Sequence, residues 1–177
     1  MKCFIDLDGV LANFSLAASL AHGRPFPYDK KENLGEYRIE KIWNKSTEEF
    51  WEPLNGADFW ASIPIMTDAR EIVTICEERF REINCCILTS PSLDPESPTG
   101  KLRWINEHFP EYNRRVLIGA CKEFCAHRGA ILIDDSLVNV AKFCASGGRG
   151  GVTLPRPWNE YHSVDPIEDL LRSLEQI

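Results

Sequence analysis

The sequence predicts an α/β fold, a parallel sheet sandwiched between two helical layers, and three observations predict it. Short apolar runs bounded by polar residues recur along the chain, as buried parallel strands do. They alternate with segments of helical periodicity, the pattern of a doubly wound sheet. Two of the runs end in acidic clusters: Cys3-Phe4-Ile5 leads into Asp6-Leu7-Asp8-Gly9, and Ala130-Ile131-Leu132-Ile133 into Asp134-Asp135-Ser136. In open α/β sheets the ligand sits beyond the carboxyl ends of the strands. Four carboxylates gathered at that edge would repel one another unless a cation joined them, and hard oxygen ligands point to Mg²⁺.

The elements read in order as follows. After the first strand, Gly9 allows a sharp turn, and Phe14–Ala21 reads as a short helix. His22–Tyr37 is rich in Pro, Gly and charge and reads as loop, and Tyr37–Ile63 is aromatic, with Trp43, Phe50, Trp51, Phe59 and Trp60. Residues 15–63 are therefore expected to form a small, mostly helical cap over the first strand's carboxyl end, with 1–14 and 64–177 as the core domain. These aromatics could wall a pocket or simply fill the cap's own core. Ala69, Ile72, Val73, Cys76 and Phe80 fall on one helical face, with Asp68 and Glu71 spaced as a capping pair.

Cys85–Leu88 is the second strand, ending at Thr89-Ser90-Pro91. A loop over 92–99 leads to a helix with Leu102, Ile105 and Phe109 on one side, stopped by Pro110. Val116–Ile118 is the third strand and Lys122–Arg128 a short helix. The fourth strand, 130–133, precedes a helix whose inner face is Leu137, Val140, Ala141 and Cys144, closed by Gly147-Gly148. Gly151–Leu154 is the fifth strand. Pro155-Arg156-Pro157-Trp158-Asn159 follows the last strand on the ligand side of the sheet and reads as a stiff surface turn, with a contact to the insertion or the substrate as the alternative. The tail is amphipathic through Ile167, Leu170, Leu171 and Leu174, with Pro166 at its first helical position.

A net charge of −7 argues against nucleic-acid polymers and anionic membranes, which need a basic footprint. No apolar stretch reaches membrane-spanning length, and the first strand starts at once, so a soluble cytoplasmic protein without a signal peptide is expected. Seven cysteines is an odd number. Cys3, Cys76, Cys85, Cys86 and Cys144 lie in apolar segments, where a reduced cysteine behaves as a small hydrophobe. Cys121, Cys125 and His127 lack a second pair at zinc-finger spacing.

Phosphoryl transfer through a covalent intermediate needs a carboxylate nucleophile, a proton donor, a cation and fixed donors for the phosphate oxygens. Asp6 and Asp8 leave the strand end on the same side, so one can attack while the other manages the proton. Thr89 and Ser90 offer hydroxyls and backbone N–H groups, and Lys122 a positive charge.

Asp-Leu-Asp-Gly-Val-Leu-Ala-Asn-Phe (6–14), then Leu-Thr-Ser-Pro (88–91), then a lone lysine, then Ile-Asp-Asp (133–135), resembles the four ordered motifs of haloacid dehalogenase-like hydrolases. More narrowly it resembles the 5′(3′)-deoxyribonucleotidases and their phage and bacterial relatives. The resemblance implies a Rossmann-like three-layer core and a Mg²⁺-dependent phosphomonoesterase acting on (deoxy)nucleoside monophosphates. It implies Asp6 as nucleophile and Asp8 as general acid then base. The cation would be held by Asp6, the backbone carbonyl of Asp8 and Asp135, with Asp134 behind them. Thr89, Ser90 and Lys122 would bind phosphate, and Phe14 would stack on the base with Trp51 as another wall. The Thr-Arg-Asp usual before the lysine is here Gly119-Ala120-Cys121, which keeps Lys101 as an alternative phosphate-binding lysine. A phosphatase of another small ester, or a nucleotide- or metal-binding module without turnover, are the competing functions.

Overall fold

A computed structural model describes residues 1–177. Its five strands are β1 (Lys2–Ile5), β2 (Cys85–Thr89), β3 (Val116–Ile118), β4 (Ala130–Asp134) and β5 (Gly150–Thr153). All pair in parallel, in the order β3-β2-β1-β4-β5. The two strands that end in acids are thus neighbours at the centre of the sheet, with Ile5 opposite Ile133. This adjacency brings together two clusters far apart in sequence.

Alternation along the central strands divides the core in two. Cys3, Ile5, Ile131 and Ile133 face the larger apolar cluster, packed under α5 (Ala69–Phe80), α6 (Ser97–His108) and α8 (Pro166–Gln176). Phe4, Ala130 and Leu132 face the opposite side, under α7 (Leu137–Ala145) and a 3₁₀ turn at Lys122–Cys125. Three layers result. Between β1 and α5 the chain forms α1 (Phe14–Ala21), α2 (Ile39–Ile42), α3 (Thr47–Trp51) and α4 (Ala57–Ala61), joined by 3₁₀ turns. Ala18, Tyr28, Ile39, Phe50, Leu54 and Trp158 make a second small core beneath these helices. Ser46 and Glu49 close a reciprocal capping box at the start of α3. No helix is long and apolar enough to cross a membrane.

Several helices are turned relative to the periodicity expected of them. In α6 the inner residues are Gly100, Lys101, Trp104 and Ile105, while Leu102 is 45% exposed. The helix starts at Ser97 and is seated by Gly100, where a Cβ would collide with the Ala57 carbonyl and Trp60 of α4. In α7 the inward residues are Val140 and Phe143, and Leu137, Ala141 and Cys144 are exposed. The Phe143 ring takes the inner place by packing edge-on against Phe4 at 6.2 Å. Leu171 of α8 is likewise exposed, beside buried Leu170 and Leu174. The segment expected to be helical over 122–128 is helical only to Cys125. Asp68 stands at the start of α5 without capping it, because its carboxylate is held elsewhere.

Candidate active site

The site begins with the turn that follows β1. Asp6 N–H donates to the Ile133 carbonyl at 2.9 Å, extending the β1–β4 ladder by one residue. The Leu7 carbonyl then accepts from the N–H groups of Val10, Leu11 and Ala12, which folds residues 7–12 into a tight loop. Gly9 takes φ +79°, where a side chain is strained. A Cβ there would also overlap Asp135 Oδ2, so the two acidic loops touch through a glycine.

Oxygen atoms of Asp6, Asp134 and Asp135 lie within 4.8 Å of one another, and all three residues are buried. Lys122, also buried, stands between two of them, with Nζ 2.6 Å from Asp6 Oδ1 and 2.6 Å from Asp134 Oδ2. Burial alone would lower the lysine's pKa; Asp6 and Asp134 outweigh it and hold it above its ordinary value. Burial, together with the Asp6 charge, pushes Asp134 up to about 6 against the pull of Lys122. Burial, with the charges of Asp134 and Asp6, holds Asp135 well above its ordinary value. One lysine for three buried carboxylates leaves negative charge uncompensated.

The donor set fits a divalent cation with a preference for hard oxygen ligands. Asp134 has both oxygens occupied, by Lys122, by the Ser136 N–H at 2.9 Å and by Asn139 Nδ2 at 3.1 and 3.3 Å. Asp135 Oδ1 and Asp8 Oδ1 are buried without any hydrogen-bond donor. Buried oxygens without donors are costly unless something supplies positive charge.

Asp8 lies on the cavity floor, its side chain partly open. Its carboxylate pairs with Nζ of Lys101, which also donates to Thr89 Oγ1 at 3.0 Å and to the Ser90 carbonyl at 2.6 Å. Burial is the main cause of a raised Asp8 pKa; Lys101 pulls against it and Asp6 adds to it. The Lys101 ammonium also sits over the Trp60 ring, 4.8 Å from its centroid. The two candidate lysines therefore occupy different places. Lys122 bridges Asp6 and Asp134, and Lys101, only 1% exposed, lines the cavity beside Asp8 and Ser90.

That cavity, about 300 Å³ in volume, runs from Asp8, Gly9, Asp135, Ser90 and Lys101 to aromatic residues of α1, α3 and α4. Phe14 is stacked on Trp60, with centroids 5.8 Å apart and planes at 18°, and is tilted on Trp51 at 5.7 Å. Of the five aromatics expected as walls, Phe50, Trp51 and Trp60 line the cavity. Trp43 does not; it packs edge-on against His22 at 5.1 Å, beneath the Arg24 guanidinium. Phe59 backs Phe14 edge-on at 6.4 Å.

The segment after β5 is a correction to the expected surface turn. Arg156 is 4% exposed, and Trp158 and Asn159 are buried. Arg156 donates to the carbonyls of Gly9 (2.7 Å) and Val10 (3.0 Å) and grips the Asp68 carboxylate with both terminal nitrogens. Trp158 Nε1–H donates to Asp135 Oδ2. Asn159 Nδ2 donates to the carbonyls of Asp135 (2.9 Å) and Leu154 (2.8 Å). Charged and amide residues are exposed by default, and nothing local in Pro-Arg-Pro-Trp-Asn overrides that default.

Replacing Arg156 by Met is expected to lower stability by about 3–5 kcal/mol, because it strands a paired carboxylate and two carbonyls. Urea denaturation measures it, and Asp68→Asn added to the same protein should recover part of the loss. A loss below about 1 kcal/mol would show that water replaces the guanidinium freely.

A protein-family model described as "5′ nucleotidase, deoxy (Pyrimidine), cytosolic type C protein" matches residues 1–177. No curated protein matches the sequence. Solved structures of a HAD family enzyme from Bacteroides thetaiotaomicron are similar to the chain at low identity. The wild-type complex with magnesium and inorganic phosphate is 11% identical, covering 93% of this chain and 98% of that one, with a TM-score of 0.44. Its magnesium complex is 12% identical, covering 92% and 96%, with a TM-score of 0.42. A mutant in complex with magnesium and inorganic phosphate is 13% identical, covering 93% and 98%, with a TM-score of 0.40.

Proposed function

The chain belongs to the 5′ nucleotidase, deoxy (pyrimidine), cytosolic type C family, and from that premise we propose that it dephosphorylates pyrimidine deoxynucleoside monophosphates through an aspartyl-phosphate on Asp6. It is a phosphoric monoester hydrolase; the substrate and the intermediate are the proposal. One observation carries the proposal. A single cavity joins a carboxylate and lysine end to an aromatic end built by Phe14, Trp51 and Trp60. Its volume, about 300 Å³, lies at the lower limit for small-ligand pockets.

In this reading 1–14 and 64–177 form the hydrolase core and 15–63 a small cap that supplies the base-binding walls. An oxygen of Asp6 attacks phosphorus, forming a new P–O bond as the ester P–O bond breaks. Asp8 gives its proton to the departing ester oxygen, a role its raised pKa favours. Asp8 then takes a proton from the water that attacks the aspartyl-phosphate, releasing phosphate and restoring Asp6. Thr89 and Ser90 steady the phosphate oxygens, Lys101 compensates their charge from the cavity side, and Lys122 holds Asp6 in place.

Asp6, Asp135 and the Asp8 carbonyl would hold Mg²⁺, with Asp134 behind them. Bound there, the ion neutralises the carboxylates and the charge that develops on phosphate. Seven unpaired cysteines are consistent with a reducing cytoplasm.

A panel of nucleoside monophosphates, sugar phosphates and an aryl phosphate, assayed with and without Mg²⁺, tests the reading. Stacking on an aromatic ring is worth roughly 1–3 kcal/mol per base. Phe14→Ala is therefore expected to lower kcat/KM for deoxynucleotides about ten- to a hundredfold more than for an aryl phosphate. Equal losses on both would leave Phe14 a packing residue and remove the base-stacking argument.

A further inference from the structure

The Asp135 carboxylate is fixed on three sides. Its Oδ2 lies against the bare Cα of Gly9 and accepts the indole N–H of Trp158. Its backbone carbonyl accepts from Asn159, which ties it to Leu154 at the end of β5. Its Oδ1 alone is buried without a donor, and the residue clusters with Asp6 and Asp134. Trp158 in turn belongs to the insertion's apolar core, with Tyr28 at 5.6 Å, and the Pro157 carbonyl accepts the Gly35 N–H at 2.9 Å.

We propose that Trp158 is a positioning residue: by occupying Oδ2 of Asp135 it presents Oδ1 as the oxygen that meets the cation. Hydrogen bonds from outside the ligand shell orient metal-binding carboxylates, and losing one typically costs ten- to a hundredfold in affinity or activity. Trp158 thereby links the cap to the cation site. The inference rests on the Mg²⁺ reading above.

The test is Mg²⁺ binding to metal-free protein by isothermal titration calorimetry, without substrate, since Trp158 also lines the cavity. Trp158→Phe keeps an aromatic body and deletes the N–H. Its Kd for Mg²⁺ is expected to rise about ten- to a hundredfold. Leu54→Ala, which opens the same apolar core without touching Asp135, should lower the thermal midpoint and leave the Kd unchanged.

An unchanged Kd in Trp158→Phe, or an equal rise in Leu54→Ala, would overturn the positioning role. Failure of the wild-type chain to bind Mg²⁺ would instead overturn the cation reading itself. If Trp158→Phe does not fold, the Trp158 indole N–H resonance of the wild-type protein decides. It must be protected from exchange and must shift as Mg²⁺ is added; an exchanging, unmoved signal sinks the proposal.

Discussion

Asp6→Asn is expected to abolish turnover, by at least about a thousandfold, because an amide cannot form the acyl-phosphate. The fold should survive. Lys122 keeps its contact with Asp134, and one fewer charge in a crowded carboxylate cluster relieves repulsion. The metal-free variant should therefore melt at the same temperature as the wild type or higher, the usual relation between active-site strain and stability. Turnover above a tenth of the wild-type rate would sink the covalent route. A large drop in midpoint would mean that the Asp6–Lys122 pair holds the fold rather than the chemistry.

Gly9→Ala should be nearly as damaging for a different reason. A side chain at φ +79° costs about 1–2 kcal/mol, and here its Cβ also displaces Asp135 Oδ2. The Asp8 turn and the Asp135 loop cannot both keep their places. Misplacing a reacting group by about 1 Å can cost on the order of a hundredfold in rate, so at least that loss is expected, with a measurable fall in urea stability. A variant with near wild-type kcat would show that the two loops do not need this approach.

The sheet and the acidic edge were legible because strand ends announce themselves. An apolar run that stops at Asp6 or Asp134 must stop at the edge of the core, and parallel strands share one carboxyl edge. The rotation of the helices was not legible, because it is decided by shape. Phe143 outcompetes Cys144 for the inner face of α7 through its ring, and Gly100 lets α6 roll onto α4 until Leu102 faces solvent. The Arg156 clamp was hidden for an electrostatic reason. A buried guanidinium is tolerable only with partners, and those partners, Asp68 and the Gly9 and Val10 carbonyls, lie some ninety to a hundred and fifty residues away. Trp43 illustrates the converse. It has the composition of a pocket wall but is occupied by His22 and Arg24.

The central place of β1 matters for the order in which the protein is made. Asp6 leaves the ribosome roughly 130 residues before Asp134, on the order of ten seconds at ordinary rates of synthesis. Until β4 emerges, β1 has a neighbour on one side only, and its Cys3-Phe4-Ile5 run lacks half its shelter. A nascent chain cut short of Ala130 carries only one of the three carboxylates that gather at the site, and no Lys122–Asp134 pair. The acidic edge is thus the last part of the sheet's centre to close, although its first carboxylate is translated long before the other two.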